Sequence, residues 1–320
     1  MRRIPVLITM VVLMVAMLAI LGSPAQAATK KVLYGPFTIP AASSSDMPSM
    51  LERVRLGVTK PCQNCYIMSF QPNLVYEDGS EANVINVTNP DGTPGERGVM
   101  LHHALFTNQF RSDATCGSSR TLWGLAGERF FASGNERTTI RFPTGYGYQV
   151  RWWDSWNLLV DLMYHETQSQ SVYLEVTYTY TSASDPVEPL KPVWLDIDNC
   201  GDSEYSILGG IPALFSDTHW DWNVNVPGDV MAAAGHVHGH GVAVEATNES
   251  QGATSICRSV ATLDPINAHL IRSMSTCTAD TGPLAHVNLG DTVRLHSEYL
   301  STHPADDVMG IMIAYIHRTT

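Results

Sequence analysis

Alternation of apolar and polar residues with a period of two is the feature that most restricts how this chain can fold. In residues 171–180, SVYLEVTYTY, every second side chain is apolar, which is typical of a half-buried antiparallel strand. Residues 292–300 show the same alternation, and residues 308–316 have the pattern of a more fully buried strand. No long window has the apolar spacing of a helix. The sequence therefore predicts an all-β chain of β-sandwich or jelly-roll type.

Proline interrupts the strand pattern near the middle of the chain. Residues 181–193, TSASDPVEPLKPV, hold three prolines among small polar residues. Proline cannot donate to a ladder and stiffens a connection, so this stretch is interpreted as a linker. We expect two tandem antiparallel β-sandwich domains, at residues 28–185 and 186–320.

The first 27 residues have the pattern of a secretory signal peptide. Two arginines precede a long apolar run, which ends in Gly22, Pro24 and the small-residue site Ala25-Gln26-Ala27. Cleavage after Ala27 predicts a secreted, periplasmic or cell-envelope protein with no membrane attachment. A retained anchor is the alternative, because the run is nearly long enough to span a bilayer.

Charge and cysteine content agree with export. Loss of Arg2 and Arg3, from a segment without acidic residues, changes the formal net charge from −12 to −14, which argues against a nucleic-acid partner. The six cysteines all follow the signal segment, so disulfides are expected. Cys257 and Cys277 bracket one short segment and are the favoured pair. A redox or zinc role for Cys62-Gln63-Asn64-Cys65 is the less favoured reading.

Three groups of histidines are candidate metal ligands. His102 and His103 are neighbours in VMLHHALF, and His165 follows in DLMYHETQ. Adjacent residues of a regular strand point to opposite faces, so His102 and His103 can share a metal only if the backbone bends there or if they coordinate through different ring nitrogens. His165 is the natural third ligand.

The third group, in AAAGHVHGHGVAV, places a histidine at every second position: His236, His238 and His240. On an extended strand these imidazoles emerge on one face. An H-x-H pair on a strand is a two-ligand unit for zinc, iron or copper. Alternation alone does not rank the three histidines.

The order of these motifs resembles that of the type II copper, ascorbate-dependent monooxygenases, the group of peptidylglycine hydroxylase and dopamine hydroxylase. The shared elements are HH in an apolar strand, one more histidine, H-x-H in a second β domain, and a near-terminal DDVMGIMIAYI. The C-terminal half is more similar still to the stress-up-regulated nodulin family. The resemblance extends over essentially the whole mature chain.

This resemblance implies two copper ions and a hydroxylation that uses dioxygen, with electrons supplied singly by ascorbate. The implied ligands of the first copper are His102, His103 and His165. Those of the second, oxygenating copper are His236, His238 and Met309. A thioether favours Cu(I), the state that binds dioxygen. His240 is then left beside the ligands at the mouth of the site, and Met312, on the same strand, is the methionine most easily confused with Met309.

The substrate is expected to differ from that of the peptide-hydroxylating relatives. Their carboxylate-binding arginine, asparagine and tyrosine correspond here to Ala234, Ile311 and Ile313, none of which can bind a carboxylate. A neutral or apolar small molecule is the better expectation, and no protein partner is predicted. Two alternatives remain: a non-catalytic copper- or ligand-binding protein on the same scaffold, and a mononuclear cupin-like or zinc enzyme that uses only the H-x-H cluster.

Overall fold

The computed structural model describes residues 27–43, 47–88, 92, 94–117, 125–265 and 270–319. Within these residues the secondary structure is β-strand, apart from turns and one short 3-10 helix at Glu249–Gln251. The predicted all-β class is confirmed. The predicted signal segment lies outside the described residues except for Ala27. Across the described ranges, no helix has the length and apolar character that crossing a membrane requires.

Ten strands lie in the first half of the chain. They are β1 (Ala28–Ile39), β2 (Ser49–Val58), β3 (Cys65–Tyr76), β4 (Val84–Thr88), β5 (Pro94–Asn108), β6 (Glu128–Ser133), β7 (Ile140–Arg141), β8 (Tyr146–Val150), β9 (Trp156–Tyr164) and β10 (Gln170–Ser182). The alternating segment at 171–180 is β10, and its residues Val172, Leu174, Val176 and Tyr178 are buried as predicted.

Twelve strands lie in the second half. They are β11 (Glu188–Asp196), β12 (Tyr205–Ile207), β13 (Leu214–Asn223), β14 (Gly228–Val237), β15 (Gly241–Asn248), β16 (Thr254–Leu263), β17 (Ile271–Met274), β18 (Thr276–Thr278), β19 (Ala285–Val287), β20 (Thr292–Ser301), β21 (Ala305–Val308) and β22 (Gly310–His317). The two C-terminal segments predicted as strands are β20 and β22.

One long sheet runs through both halves in the order β1-β10-β3-β8-β11-β22-β14-β18. Its first four strands are covered by the sheet β2-β9-β5-β4, and its last four by the sheet β13-β20-β15-β16-β17. Each pair of layers encloses an apolar core, which is the arrangement of a β-sandwich. Nearly all neighbouring strands pair antiparallel; β8 and β11 pair parallel through two residue pairs, Glu188 with Tyr146 and Pro189 with Gly147.

Strands β14 and β22 are buried on both faces. Alternate residues of these strands contribute to two different cores. The residues that face the first half are Ala232, Ala234, Ile311, Ile313 and Tyr315, and those that face the second core are Ala233, Met312, Ala314 and Ile316. This explains why residues 308–316 lack polar alternation: neither face of β22 meets solvent. The two halves are thus packed together through an apolar layer.

The predicted linker at 181–193 is shorter than expected. Strand β10 continues to Ser182 and β11 begins at Glu188, which leaves a five-residue connection. Two of the three prolines lie inside β11, where Pro189 pairs with Gly147 of β8 and Pro192 pairs with Tyr315 of β22. The expected boundary after residue 185 lies in the connection, and the division into two domains stays a prediction.

The six cysteines lie in three pairs at disulfide distance: Cys62 with Cys65, Cys116 with Cys200, and Cys257 with Cys277. The favoured pairing of Cys257 with Cys277 is therefore found. The pair Cys116–Cys200 closes a sequence separation of 84 residues and ties the first half of the chain to the second. Such a cross-link restricts the unfolded chain and fixes how the halves meet.

Candidate metal centre

A bulge in β5 places two adjacent histidines on one side of the strand. Leu101 pairs with Leu162 of β9, and the register then shifts so that His103 pairs with Asp161, which leaves His102 as the extra residue. An inserted residue bends a strand and redirects its side chains. The backbone bend required for His102 and His103 to meet is therefore present, and their ring centroids are 4.1 Å apart.

The other histidines come from the end of β14. His236 lies in the strand, His238 follows its last residue, and their ring centroids are 5.3 Å apart. His240 lies in the turn before β15, with a left-handed φ of 69°. The strand ends before His240, so alternation no longer aligns this residue with the other two. Its side chain lines an open cleft beside the cluster.

These two elements bring histidines from both halves of the chain to one point. Donor nitrogens of His102, His103 and His238 all lie within 4.8 Å of one another. The Nε2 atoms of His103 and His238 are 2.9 Å apart. The ring of His236 is adjacent, with its centroid 5.4 Å from that of His103. We call these four residues the histidine cluster.

Oxygen acceptors fix the orientation of two of these imidazoles. Nδ1 of His102 lies 2.6 Å from Oδ2 of Asp161, and Nδ1 of His238 lies 2.5 Å from the carbonyl oxygen of Asp307. A carbonyl or carboxylate oxygen accepts, so each Nδ1 carries the proton in the neutral ring. Each Nε2 then keeps its lone pair for a metal, which is how partner groups orient metal-binding histidines.

His236 is held in the same way. Its Nδ1 lies 3.1 Å from Oε1 of Glu136, and the same oxygen accepts a hydrogen bond from the Gly134 amide at 2.9 Å. Among the described residues, the buried Nε2 of His236 has no hydrogen-bond partner. A buried ring nitrogen without a partner is costly unless something binds it. This atom fits a bound metal ion.

Burial keeps two of the imidazoles, those of His103 and His238, uncharged. Burial, followed by the neighbouring His102, lowers the pKa of His103 to about 3. Burial and the other histidines, with His103 first among them, lower the pKa of His238 well below its usual value. Metal binding requires neutral imidazole, so both residues are ready as ligands at neutral pH.

Asp161 is an anion within this cluster. Burial raises its pKa, but hydrogen bonds from His102 and His103 outweigh that effect and hold the pKa well below its usual range. The Nδ1 atom of His103 lies 3.6 Å from the same carboxylate. One buried negative charge therefore serves two histidines, and it offsets part of the charge that a metal cation would bring.

The histidine cluster fits copper chemically. Imidazole nitrogen is a good ligand for copper, zinc and iron, and four imidazoles with one buried carboxylate beside them form a compact donor set. Within the described residues, the side chains whose donor atoms lie close enough together to hold one metal ion are His102, His103 and His238. This group joins members of the two ligand sets that the sequence resemblance implied separately.

The remaining two ligands implied by the resemblance, His165 and Met309, lie outside the histidine cluster. His165 has its Nε2 3.4 Å from Oε2 of Glu96. Met309 is fully buried and lines an apolar pocket together with His103 and His236. Met312 faces the second core instead, so of these two methionines only Met309 is close to the histidine cluster.

An apolar pocket opens onto the histidine cluster. Its cavity volume is about 40 Å³, so the pocket is small. Its wall includes the residues expected to replace the carboxylate-binding groups, Ala234, Ile311 and Ile313. Because these side chains are apolar, this wall favours neutral or hydrophobic ligands. A second, more polar cleft reaches the cluster from another side and includes His102, His238 and His240.

Sequence reasoning did not identify the groups that orient the histidines. Asp161 is an acid inside the apolar run NLLVDLMY, and a buried carboxylate in a core strand is unusual enough to have been a signal. Glu136 lies in a turn after β6, and Asp307 contributes only its backbone carbonyl. Neither has a local pattern that distinguishes it.

Replacing Asp161 with asparagine tests its orienting role. We expect copper affinity to fall by about 10–100-fold, the usual effect of losing such a partner of a metal-bound histidine, because the amide carries no charge. Competition against a chelator of known affinity measures the change. Glu52→Gln is the matched control, since Glu52 lies opposite Asp161 on β2 and is exposed. Equal losses in both variants would contradict the assignment.

Comparison with known proteins gives distant relatives. No family model matches the chain. It is 28% identical over 305 residues, 91% of this chain and 73% of the relative, to the "Probable copper-dependent oxygenase M1" of Phoma sp. (strain ATCC 20986 / MF5453). It is 27% identical over 251 residues, 73% of this chain and 78% of the relative, to the "Probable copper-dependent oxygenase clz3" of Cochliobolus lunatus.

Similar solved structures are viral capsid proteins. The major capsid protein P2 of bacteriophage PM2 aligns with a TM-score of 0.33 and 10% identity over 92% of this chain and 98% of that protein. PBCV-1 VP54 aligns with a TM-score of 0.35 and 6% identity over 92% of this chain and 94% of that protein. The sequence relatives are the informative comparison: the chain is a distant homologue of fungal proteins described as probable copper-dependent oxygenases.

Proposed function

We propose that this protein is an exported copper-dependent monooxygenase that hydroxylates an sp³ C–H bond of a neutral or apolar small molecule. One observation carries the proposal: the apolar pocket has two residues of the histidine cluster, His103 and His236, in its wall. A substrate in that pocket would lie directly against the metal ligands. The names of the distant relatives agree with this chemistry.

The reaction balances with an external reductant. One C–H bond and the O–O bond break, and a C–O bond and an O–H bond form in the hydroxylated product. The second oxygen atom leaves as water after taking up two protons and two electrons. A one-electron donor such as ascorbate supplies the electrons in two steps. Bound copper would supply the one-electron redox chemistry with dioxygen that amino-acid side chains do not supply.

The chain's own residues position the reactants and exclude water. Ala234, Ile311 and Ile313 offer no group that compensates a negative charge, and the Glu136 carboxylate also lines the pocket, so an anionic substrate would lose its hydration without compensation. Glu136 is held as a buried carboxylate: burial raises its pKa, but His236 and the Gly134 amide outweigh that effect and lower it. This carboxylate fixes the ring of His236 at the wall of the pocket.

We further propose that copper is shared between the two halves at the histidine cluster. His102, His103 and His238 would hold the ion, and the unpartnered Nε2 of His236 would be a fourth donor. The sequence resemblance implied two separate coppers, with His165 and Met309 among their ligands, and this stays a prediction. The number of copper ions per chain and their positions decide between the two arrangements.

Export is part of the proposal. The apolar N-terminal segment and the three cysteine pairs at disulfide distance support an oxidising compartment outside the cytosol. The acidic chain and the small pocket favour a small-molecule substrate and dioxygen over nucleic acid, and no protein partner is proposed.

Isotope incorporation tests the activity. Copper-loaded protein, ascorbate and ¹⁸O₂ are incubated with a panel of neutral apolar small molecules, and products are examined by mass spectrometry. We expect one ¹⁸O atom in a hydroxylated product, together with substrate-dependent oxygen uptake. A protein that binds copper but gives neither result across the panel would be a copper-binding protein instead, and the proposal would fail.

Ala234→Leu is the matched variant for this assay. The larger side chain would fill the pocket beside His236 while leaving all four histidines in place. Displacing a substrate by about 1 Å can cost about a hundredfold in rate, so we expect product formation to fall by about that factor with copper content unchanged. Unchanged product formation would remove the pocket from the proposal.

A further inference from the structure

Three methionines lie side by side across the sheet that carries the histidine cluster. Met50 of β2 pairs directly with Met163 of β9, and Met163 pairs directly with Met100 of β5. Opposed residues of antiparallel strands point to the same face, with Cβ atoms about 4.5–5.5 Å apart. We call Met50, Met163 and Met100 the methionine row.

The methionine row faces outward. An adjacent residue on each of the three strands, Leu51, Leu162 and Leu101, is buried in the first core. Side chains alternate along a strand, so the methionines point away from that core. Met50 is 48% exposed, and Met163 and Met100 are half-buried. Polar residues are usual at such positions, and three thioethers in register there call for an explanation.

The row leads from the sheet edge to the metal centre. β2 is the edge strand of its sheet, and Met50 is the exposed end of the row. Met163 and Met100 line the same open cleft as His102. Met100 precedes His102 by two residues on β5, a rise of about 6.6 Å along a strand. The thioethers therefore extend from solvent to the rim of the histidine cluster.

We propose that the methionine row is a Cu(I)-binding site that loads the histidine cluster. Thioethers are soft, neutral ligands that select Cu(I) over Zn(II), Mg(II) or Ca(II). The flexible methionine side chain, with three rotatable bonds, lets neighbouring sulfurs converge on one ion. Transfer moves the ion from sulfur to imidazole with no change in its oxidation state. The loading role rests on the proposed copper function; the binding of a soft monovalent cation does not.

Methionine methyl resonances test the binding step. Copper-free protein with ¹³C-labelled methionine methyl groups is titrated with Ag(I), a redox-inert substitute for Cu(I). We expect the resonances of Met50, Met163 and Met100 to shift together as one equivalent is added, while that of Met68, a half-buried methionine on β3, stays in place. Single Met→Leu variants assign the signals. Absence of shifts in the row, or equal shifts at Met68, would overturn the site.

Loading kinetics test the transfer step. Cu(I) is supplied as a coloured chelator complex to the wild type and to the triple variant Met50→Leu, Met163→Leu, Met100→Leu, which keeps volume and apolar character. A nearby bound ion has a raised effective concentration, so we expect loading to slow by about tenfold or more with the same final copper content. Met68→Leu should load like the wild type.

The outcomes separate this proposal from the proposed function. Equal loading rates in the triple variant and the wild type would overturn the transfer role. Methionine shifts in a protein whose histidine cluster binds no copper would support the soft-cation site and contradict the copper oxygenase. A histidine cluster that binds copper in a protein without methionine shifts would contradict the soft-cation site and leave the copper oxygenase proposal standing.

Discussion

Replacing His238 with alanine is expected to remove all tightly bound copper from the protein. His238 is the residue from the second half whose Nε2 lies 2.9 Å from that of His103, so its loss would open the shared centre that we propose. Loss of a group that merely orients a metal-bound histidine costs about 10–100-fold in affinity. Removing a ligand itself should cost more than about a hundredfold. Metal analysis after dialysis, and competition against a chelator, measure the change.

His165→Ala is the contrasting variant. His165 lies against Glu96, outside the grouping of His102, His103 and His238. With a shared centre, this variant keeps its copper. If two coppers occupied separate sites, each variant would lose half of the metal and retain the other half. That result would contradict a single shared centre.

Arg129→Met is expected to destabilise the fold by about 3–5 kcal/mol, the usual cost of removing one partner from a buried ion pair. The Arg129 side chain is 2% exposed, and its Nε lies 2.9 Å from Oδ2 of Asp113. Its guanidinium also lies over the ring of Trp194 from β11, 5.0 Å from the centroid. The variant leaves the Asp113 carboxylate buried without its cation. Urea unfolding measures the change in the free energy of unfolding.

The free energy of unfolding should depend on pH because of the same ion pair. Burial raises the pKa of Asp113, but the hydrogen bonds and charge of Arg129 outweigh it and lower the pKa to about 2. A folded-state pKa below the unfolded value contributes stability at neutral pH, which is lost as the pH falls from about 4 towards 2. Arg129→Met should lose this contribution.

An exposed ion pair provides the control for Arg129. Arg258 contacts Glu298 and Glu245 at the surface, and its side chain is 39% exposed. Exposed pairs contribute at most about 1 kcal/mol, so Arg258→Met should change stability little. If both variants lost the same stability, burial of the Arg129–Asp113 pair would not explain its contribution.

Strand positions could be predicted from the sequence because a strand is a local pattern. Alternation in β10 and β20 reports which residues face the core, and the unbroken apolar run in β22 reports burial on both faces. The same alternation gave a backbone bend at His102–His103 as one of two ways for them to share a metal, and the bulge in β5 provides that bend. Local periodicity thus predicted both the fold class and one feature of the site.

Long-range contacts could not be predicted in the same way. His103 and His238 are 135 residues apart in the chain, and nothing near either residue indicates the other. The family resemblance implied separate copper sites for them, one in each half, and that division stays a prediction. The linker was also overestimated, because two of its three prolines, Pro189 and Pro192, lie inside strand β11. Contacts that depend on how two sandwiches pack leave no periodic signal.

Anomalous diffraction at the copper edge, from crystals of the copper-loaded protein, tests the central claim most directly. A copper shared between the two halves gives one strong peak, bounded by the Nε2 atoms of His102, His103 and His238. Two separate peaks, one beside His102, His103 and His165 and the other beside His236, His238 and Met309, would contradict the shared centre.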